Sequence, residues 1–374
     1  MNRQLTSLTS ARGIAAWLVV AYHLRASTPW VPAPIMAVLH KSYLAVDFFF
    51  LLSGFVIYLS AHKAFERDGP RALPAFLVRR IARIYPLYIV ILLATVLFAA
   101  AIHAVGGDAT SYPLGELPLH MTMMQNWGFT PRLSWNHPAW SISTEFAAYL
   151  LFPLIVLASP IARLNRTALL AGMMCVLALL AGVLQVGGQT GLGQDVTHSG
   201  LIRCLCEFIC GNLLCAFYLR SDPGDGRLLV ASLFGLVTGA LLWAVGVGGE
   251  IALFPAITAC LILTLALLSQ RWAMTRVWPL HWRPIVYLGE ISYATYLAHF
   301  MLFILFKILL VDDAANIAPG MIALFLCGLL LLSIILHEGI EKPGRRLAQP
   351  LLARLVNGEN RHALMRENGA TDGS

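Results

Sequence analysis

The stretch SARGIAAWLVVAYHL, residues 10–24, decides how this chain is read. It is apolar over most of a membrane thickness, yet it carries Arg12 near its start and His23 near its end. In a helix their separation is about 16 Å along the axis and, at ~3.6 residues per turn, nearly one face. With Arg12 at the cytoplasmic edge, His23 lies slightly beyond the middle of a hydrocarbon core about 30 Å thick. Arg3 and Arg12 ahead of an apolar run also fit a secretory signal. The internal His and the spans that follow at once favour a first transmembrane helix instead.

The rest of the chain extends that pattern. Of 374 residues, 58% are hydrophobic and 12% charged, far below the roughly one-quarter charged content of soluble domains. Runs of about 20 apolar residues, enough to cross a bilayer, recur near 8–25, 43–61, 84–105, 137–158, 167–186, 202–219, 228–247, 250–269, 285–311 and 317–337. The expected fold is therefore an all-α integral membrane protein, a bundle of about ten transmembrane helices. Residues 1–345 form one domain and 346–374 a short basic tail. No internal repeat of the inverted kind found in many transporters is visible.

The net charge of +7 points to topology rather than to nucleic acid. With a cytoplasmic N-terminus, the inner connections hold most of the 26 Lys and Arg, among them Arg79, Arg80 and Arg83, and only Arg25, Lys41, Arg132 and Arg203 fall outside. The positive-inside rule then places both termini in the cytoplasm. Seven cysteines lie in apolar runs with no zinc or disulfide spacing; they read as small packing residues, and no metal is expected. Two external loops are long: 106–136, with Trp127, and 186–201, whose Gly and Gln content reads as a flexible connector.

The ionisable groups within the spans carry the chemistry. A neutral imidazole at His23 suits removal of a proton from a hydroxyl near pH 7, though polar residues also tie helices together. Glu145 lies about 12 Å below the external end of its span, at a depth similar to that of His23, where a carboxylate would orient the imidazole. Pairing of Glu145 with a structural Arg is the alternative. Ser141 shares the helical face of Glu145, and Trp140 is either a substrate contact or an interfacial anchor. Asp47 opens DFFFLLSGF at 47–55 and needs a partner or an aqueous cavity. Ser53 and Gly54 let a helix or a slender ligand approach closely. Arg79, Arg80 and Arg83, if more than membrane anchors, suit phosphate. His299 lies in the outer half of its span, as an acceptor-channel residue or as helix-packing glue.

Seven motifs together resemble the membrane-bound acyltransferase family 3, which includes O-antigen, exopolysaccharide, peptidoglycan and macrolide O-acyltransferases. They are Arg12 and His23 with ten residues between, FFFLLSGF at 48–55, RIARIYP at 80–86, QNW at 125–127, WSISTE at 140–145, ISYATYLAH at 291–299 and EKPGRR at 341–346. The resemblance implies a ten-helix bundle in a bacterial cytoplasmic (inner) membrane. It implies acyl-CoA, first of all acetyl-CoA, taken from the cytoplasmic side, and a glycan hydroxyl modified on the external side. It gives His23 as the central catalytic residue with Glu145 in the working site. Arg12, Arg79, Arg80, Arg83 and Ser53 then fall to the acyl-CoA, and Asp47, Trp127, Trp140, Ser141 and His299 to the acceptor. Some relatives carry a fused esterase-like domain; with only a basic tail, this chain is expected to finish transfer itself or hand its product on. Acylation of a small hydroxylated molecule such as a macrolide, and proton-coupled transport, are the rival readings.

Overall fold

The computed structural model describes residues 5–159, 161–222, 226–271 and 279–355. Arg3, Arg276 and residues 356–374 of the basic tail lie outside the described residues. All regular structure among the described residues is helical. In chain order the α-helices are α1 (Thr6–Leu24), α2 (Ala33–Lys41), α3 (Ala45–Asp68), α4 (Leu73–Ala104), α5 (Leu117–Met121), α6 (Ala139–Ala158) and α7 (Arg166–Val186). They continue with α8 (Val196–Leu219), α9 (Gly226–Ala244), α10 (Glu250–Arg271), α11 (Arg283–Glu290), α12 (Ser292–Leu310), α13 (Pro319–Leu336) and α14 (Lys342–Leu347). Eight stretches among the described residues are long and apolar enough to cross a membrane, and the first of them, Ala33–Ala104, holds both α3 and α4.

Helix α1 keeps its polar N-terminal turns dry. The backbone N–H of Ser7 donates to Ser269 Oγ of α10 at 3.2 Å, and Ser10 Oγ donates to the Leu280 carbonyl at 2.5 Å. Hydroxyls that would disfavour a lipid-facing helix are thus satisfied by neighbouring elements. Helices α3 and α8 approach backbone to backbone. A Cβ on Gly54 would run into the Phe208 carbonyl, and one on Gly211 into that of Leu51. Apolar attraction between helices is weak where lipid is equally apolar, so such glycines, which let backbones touch, supply much of the association.

Three of the boundaries that differ from the sequence reading bear on the polar residues. The run 202–219 belongs to a helix that begins at Val196, which draws Arg203 from the external side into the helix interior. The run 285–311 is two helices that meet at Ile291. The last turn of α11 gives up helical continuity because the Gly289 carbonyl accepts from Arg12 at 2.9 Å and from Ser292 Oγ at 2.8 Å. Finally, α4 starts at Leu73, so RIARIYP lies inside the helix rather than at its entrance. Pro86, which cannot donate within the helix, packs where a side chain on Gly344 would stand, so RIARIYP and EKPGRR are neighbours in space.

The two long loops, 106–136 and 186–201, are ordered by side chains. Glu250 accepts from Lys41 Nζ (2.6 Å), Tyr43 OH (2.5 Å) and the Leu192 N–H (2.8 Å), so the loop before α8 is pinned rather than a free connector. In the segment after α5, Asn126 Nδ2 donates to the Val196 carbonyl (3.0 Å) and Trp127 Nε1 to that of Ser143 (3.0 Å). The Gly211→Ala variant is expected to lose about 1–3 kcal/mol through overpacking, seen as a lower melting temperature in detergent. Gly328→Ala, with open space around the added methyl, should match the wild type.

Candidate active site

A cavity of about 120 Å³ lies among α1, α3, α4, α6 and α12. Arg12, Arg80 and Arg83 line it together with Ser53, Ser141, Glu145, Tyr149, Tyr293 and Tyr296. Arg12 reaches it from α1, steered by bonds to the Gly289 carbonyl and Ser292 Oγ. Arg80 packs over the Phe76 ring at 5.6 Å, and its Nε is buried without a partner. Neither Arg80 nor Arg83 forms a salt bridge among the described residues. The carboxylate of Glu145 accepts from Ser53 Oγ and from Tyr149 OH, both at 2.5 Å. Three guanidiniums therefore face one carboxylate, and the cavity attracts anions. Arg79 is not among the lining residues.

His23 sits in the last turn of α1, outside this lining. Its ring centroid is 5.0 Å from that of His299 on α12, 5.5 Å from Phe300 and 5.3 Å from Tyr22. The His299 Nδ1 contacts the Tyr296 carbonyl at 2.6 Å. A carbonyl only accepts, so Nδ1 carries the proton and Nε2 keeps a lone pair. That Nε2 is buried without a hydrogen-bond partner. Tyr296 connects the two regions: it lines the cavity, its ring centroid is 5.9 Å from that of His299, and its hydroxyl bonds Ser141 Oγ at 2.7 Å.

The structure thus groups the sequence-derived candidates differently. Arg12, Arg80, Arg83, Ser53, Glu145 and Ser141 share one cavity, and His23 and His299 form a separate pair. The anticipated Glu145–His23 neighbourhood is absent; Ser53 and Tyr149 are the partners of Glu145. Equal depth on two helices leaves their azimuths free, and sequence supplies only depth. Asp47 and Trp140 belong to a third cluster. Arg203 donates to both Asp47 carboxylate oxygens at 2.5 Å and to the Leu192 carbonyl at 2.6 Å, and its guanidinium lies 5.7 Å from the Trp140 ring centre. Glu207, one turn along α8, is fully buried and its oxygens have no hydrogen-bond partner.

Sequence reasoning passed over Tyr149, Glu207 and His137. Tyr149 stands four residues after Glu145, and Glu207 lies inside an apolar run, so both left a signal. His137 left none. Among the described residues no group of three metal-ligating side chains gathers.

A profile described as an acyltransferase domain matches residues 5–338. The chain belongs to this acyltransferase family. It is 33% identical over 323 residues to the acyltransferase MdmB of Streptomyces mycarofaciens, covering 80% of this chain and 79% of that one. It is 24% identical to YrhL of Bacillus subtilis (strain 168), provisionally named a peptidoglycan O-acetyltransferase, over 92% of this chain and 55% of that one. A product of the picA locus of Rhizobium radiobacter, named protein 2, is 31% identical over 194 residues, 48% of this chain and 92% of that one. No solved structure matches.

The Asp47–Arg203 pair yields a stability prediction for this acyltransferase. Removing one partner leaves a buried charge, a loss of about 3–5 kcal/mol. Asp47→Leu and Arg203→Met should each lower the melting temperature, and the double variant should recover most of the loss in a double-mutant cycle.

Proposed function

We propose that the protein is an acyl-CoA-dependent O-acyltransferase. It takes an acyl group, acetyl before others, from cytoplasmic acyl-CoA and places it on a hydroxyl of an extracytoplasmic glycan. The observation that carries this reading is the cavity in which Arg12, Arg80 and Arg83 outnumber Glu145 and whose Tyr296 wall adjoins the imidazole pair. In this reading the chain crosses a bacterial cytoplasmic membrane ten times with both termini inside. Residues 1–345 form the transferase and 346–374 a basic tail.

Guanidiniums bind phosphates through charge-assisted bonds, so the arginines hold the nucleotide end of acyl-CoA. The pantetheine arm then runs past Ser53 and Tyr296. About 16 Å separates Arg12 from His23 along α1, comparable to an extended pantetheine. His23 takes the proton of the acceptor hydroxyl and the oxygen attacks the thioester carbonyl. The C–S bond breaks, and the thiolate leaves with the proton that the imidazolium returns. His299, with its proton pinned on Nδ1, offers Nε2 as acceptor to an N–H of His23. That contact would fix the His23 tautomer as a carboxylate does in a hydrolytic triad. Glu145 acts with Ser53 and Tyr149 as an anionic wall of the donor channel.

Purified protein incubated with radiolabelled acetyl-CoA tests the assignment. His23→Ala is expected to lower acetyl turnover by about 100-fold or more, and equal turnover in the two proteins would remove His23 from the mechanism. Arg83→Ala should raise KM for acetyl-CoA about tenfold or more, against little change for S-acetylpantetheine, which lacks the phosphates. The same KM shift for both donors would show that Arg83 does not read phosphate.

A further inference from the structure

Helix α1 is closely covered by protein on one side only. Gly13 lies against Gly289, yet Ile14 and Leu18 are 47% and 36% exposed. With Ala11 and Ala15 these two form one wall of a groove of about 990 Å³. Helices α2 and α3 and the α9–α10 pair supply the rest. On α10 the wall runs from Glu250 through Phe254, Ile257 and Leu261 to Leu265, a stripe at helical spacing about 22 Å long. At ~100° per residue, the groove face of α1 is turned about 120° from the face that bears Arg12 and His23. The groove and the arginine-lined cavity share no lining residue.

The charged residues of the lining, Lys41 and Glu250, both stand at one end of the groove, bonded to each other at 2.6 Å. Glu250 is fully engaged, since Tyr43 OH and the Leu192 N–H donate to it as well. Lys41 is not. Its ammonium has three N–H groups, Glu250 is its one hydrogen-bond partner among the described residues, and its side chain is half-exposed. Leu265 and Leu280 mark the other end, which is apolar. Apart from Ser232, the residues of α9 stand partly or fully exposed, although α9 is long and apolar enough to cross a membrane. The groove therefore opens to bilayer hydrocarbon, and its apolar walls give water no partners. Its occupant is apolar for most of its length and anionic at one end. At ~30 Å³ for a water-sized group, the space holds about thirty such groups, and methylenes are of similar size. Both chains of one phospholipid fit.

We propose that this groove is a binding site for one membrane phospholipid, with its phosphate on Lys41 and its acyl chains laid along α10 against Ile14 and Leu18. The lipid supplies the packing that α1 lacks on that side, and so becomes part of the support of the helix that carries Arg12 and His23. It is a structural ligand, not a substrate, and the inference does not depend on the acyl-transfer reading.

The test is photolabelling of the full chain. Wild type is reconstituted in phosphatidylethanolamine vesicles doped with phosphatidylglycerol that carries a diazirine on one acyl chain, and labelled residues are mapped by peptide mass spectrometry. Labelling of Ile14, Phe254 and Leu261 should exceed that of Met174 on α7 and Leu331 on α13, which are 67% and 60% exposed, by fivefold or more. Even labelling of all these helices would mean ordinary boundary lipid only, and an unlabelled groove with chain-to-chain adducts across it would mean a second copy of the chain; either overturns the proposal. Lys41→Gln should lower groove labelling threefold or more, and Lys41→Arg should keep it. A diazirine diacylglycerol, which lacks the phosphate, should label the wild-type groove only as well as the phospholipid labels Lys41→Gln. Equal groove labelling by the two probes would overturn the placing of phosphate on Lys41. Ala244→Trp, at an exposed position of the wall, should fill the groove and bring its labelling down to that of Met174; labelling kept at the wild-type level would overturn the seat of the chains.

Discussion

Two opposite charges stripped of water hold the centre of this bundle in register. Asp47 on α3 and Arg203 on α8 meet through two parallel bonds of 2.5 Å, each side chain 1% exposed. A lone ion at that depth would cost far more than packing returns, whereas the bidentate pair largely offsets its own desolvation. The geometry of a guanidinium against a carboxylate admits little sliding. With the pair fixed, Gly54 is set against Phe208 and Gly211 against Leu51, and the rest of α3 has no freedom of register. Ser53 is carried to Glu145, and Phe49 and Phe50 to the cavity wall.

Helix α1 is placed by a second polar lock. Arg12 donates to the Gly289 carbonyl where α11 ends, and Gly13 lies against Gly289 so closely that neither could carry a side chain without displacing the other helix. This contact orients α1 about its axis and also sets where α12 begins. Since His23 is on α1 and His299 on α12, the distance between the imidazoles follows from a contact near the opposite end of α1. One arginine thus both lines the cavity and fixes the helix on which His23 stands.

The limits of the sequence follow from these locks. Helical periodicity made the spacing of Arg12 and His23 readable, because both residues sit on one continuous helix. Depth alone cannot tell which way a residue points on another helix, so similar depth suggests Glu145 beside His23, whereas its carboxylate is turned to Ser53 and Tyr149. Hydropathy trims polar residues from the ends of runs, which is why Arg203 reads as external although α8 begins at Val196. The same bias hides its partnership with Asp47, since the ion pair joins two residues 156 positions apart. The break at Ile291 has no proline to announce it; it depends on a carbonyl claimed by Arg12, a contact across 277 positions. Motifs read as one-dimensional signatures turn out to be contact partners, as Pro86 in RIARIYP and Gly344 in EKPGRR demonstrate.

On the proposed reading, the polar groups of the cavity answer what the donor brings. A phosphate-bearing donor supplies negative charge and needs fixed cations, and Arg12, Arg80 and Arg83 face the one cavity with a single carboxylate among them. Tyr296 stands between this cavity and the imidazole pair, its hydroxyl held by Ser141 and the Pro138 carbonyl and its own carbonyl fixing the tautomer of His299. A side chain that closes the donor cavity and a backbone group that prepares the neighbouring imidazole belong to one residue. That wall can therefore open to pass a thioester without loss of the imidazole's tautomer, since the side-chain bonds can break while the carbonyl, held in α12, stays in place.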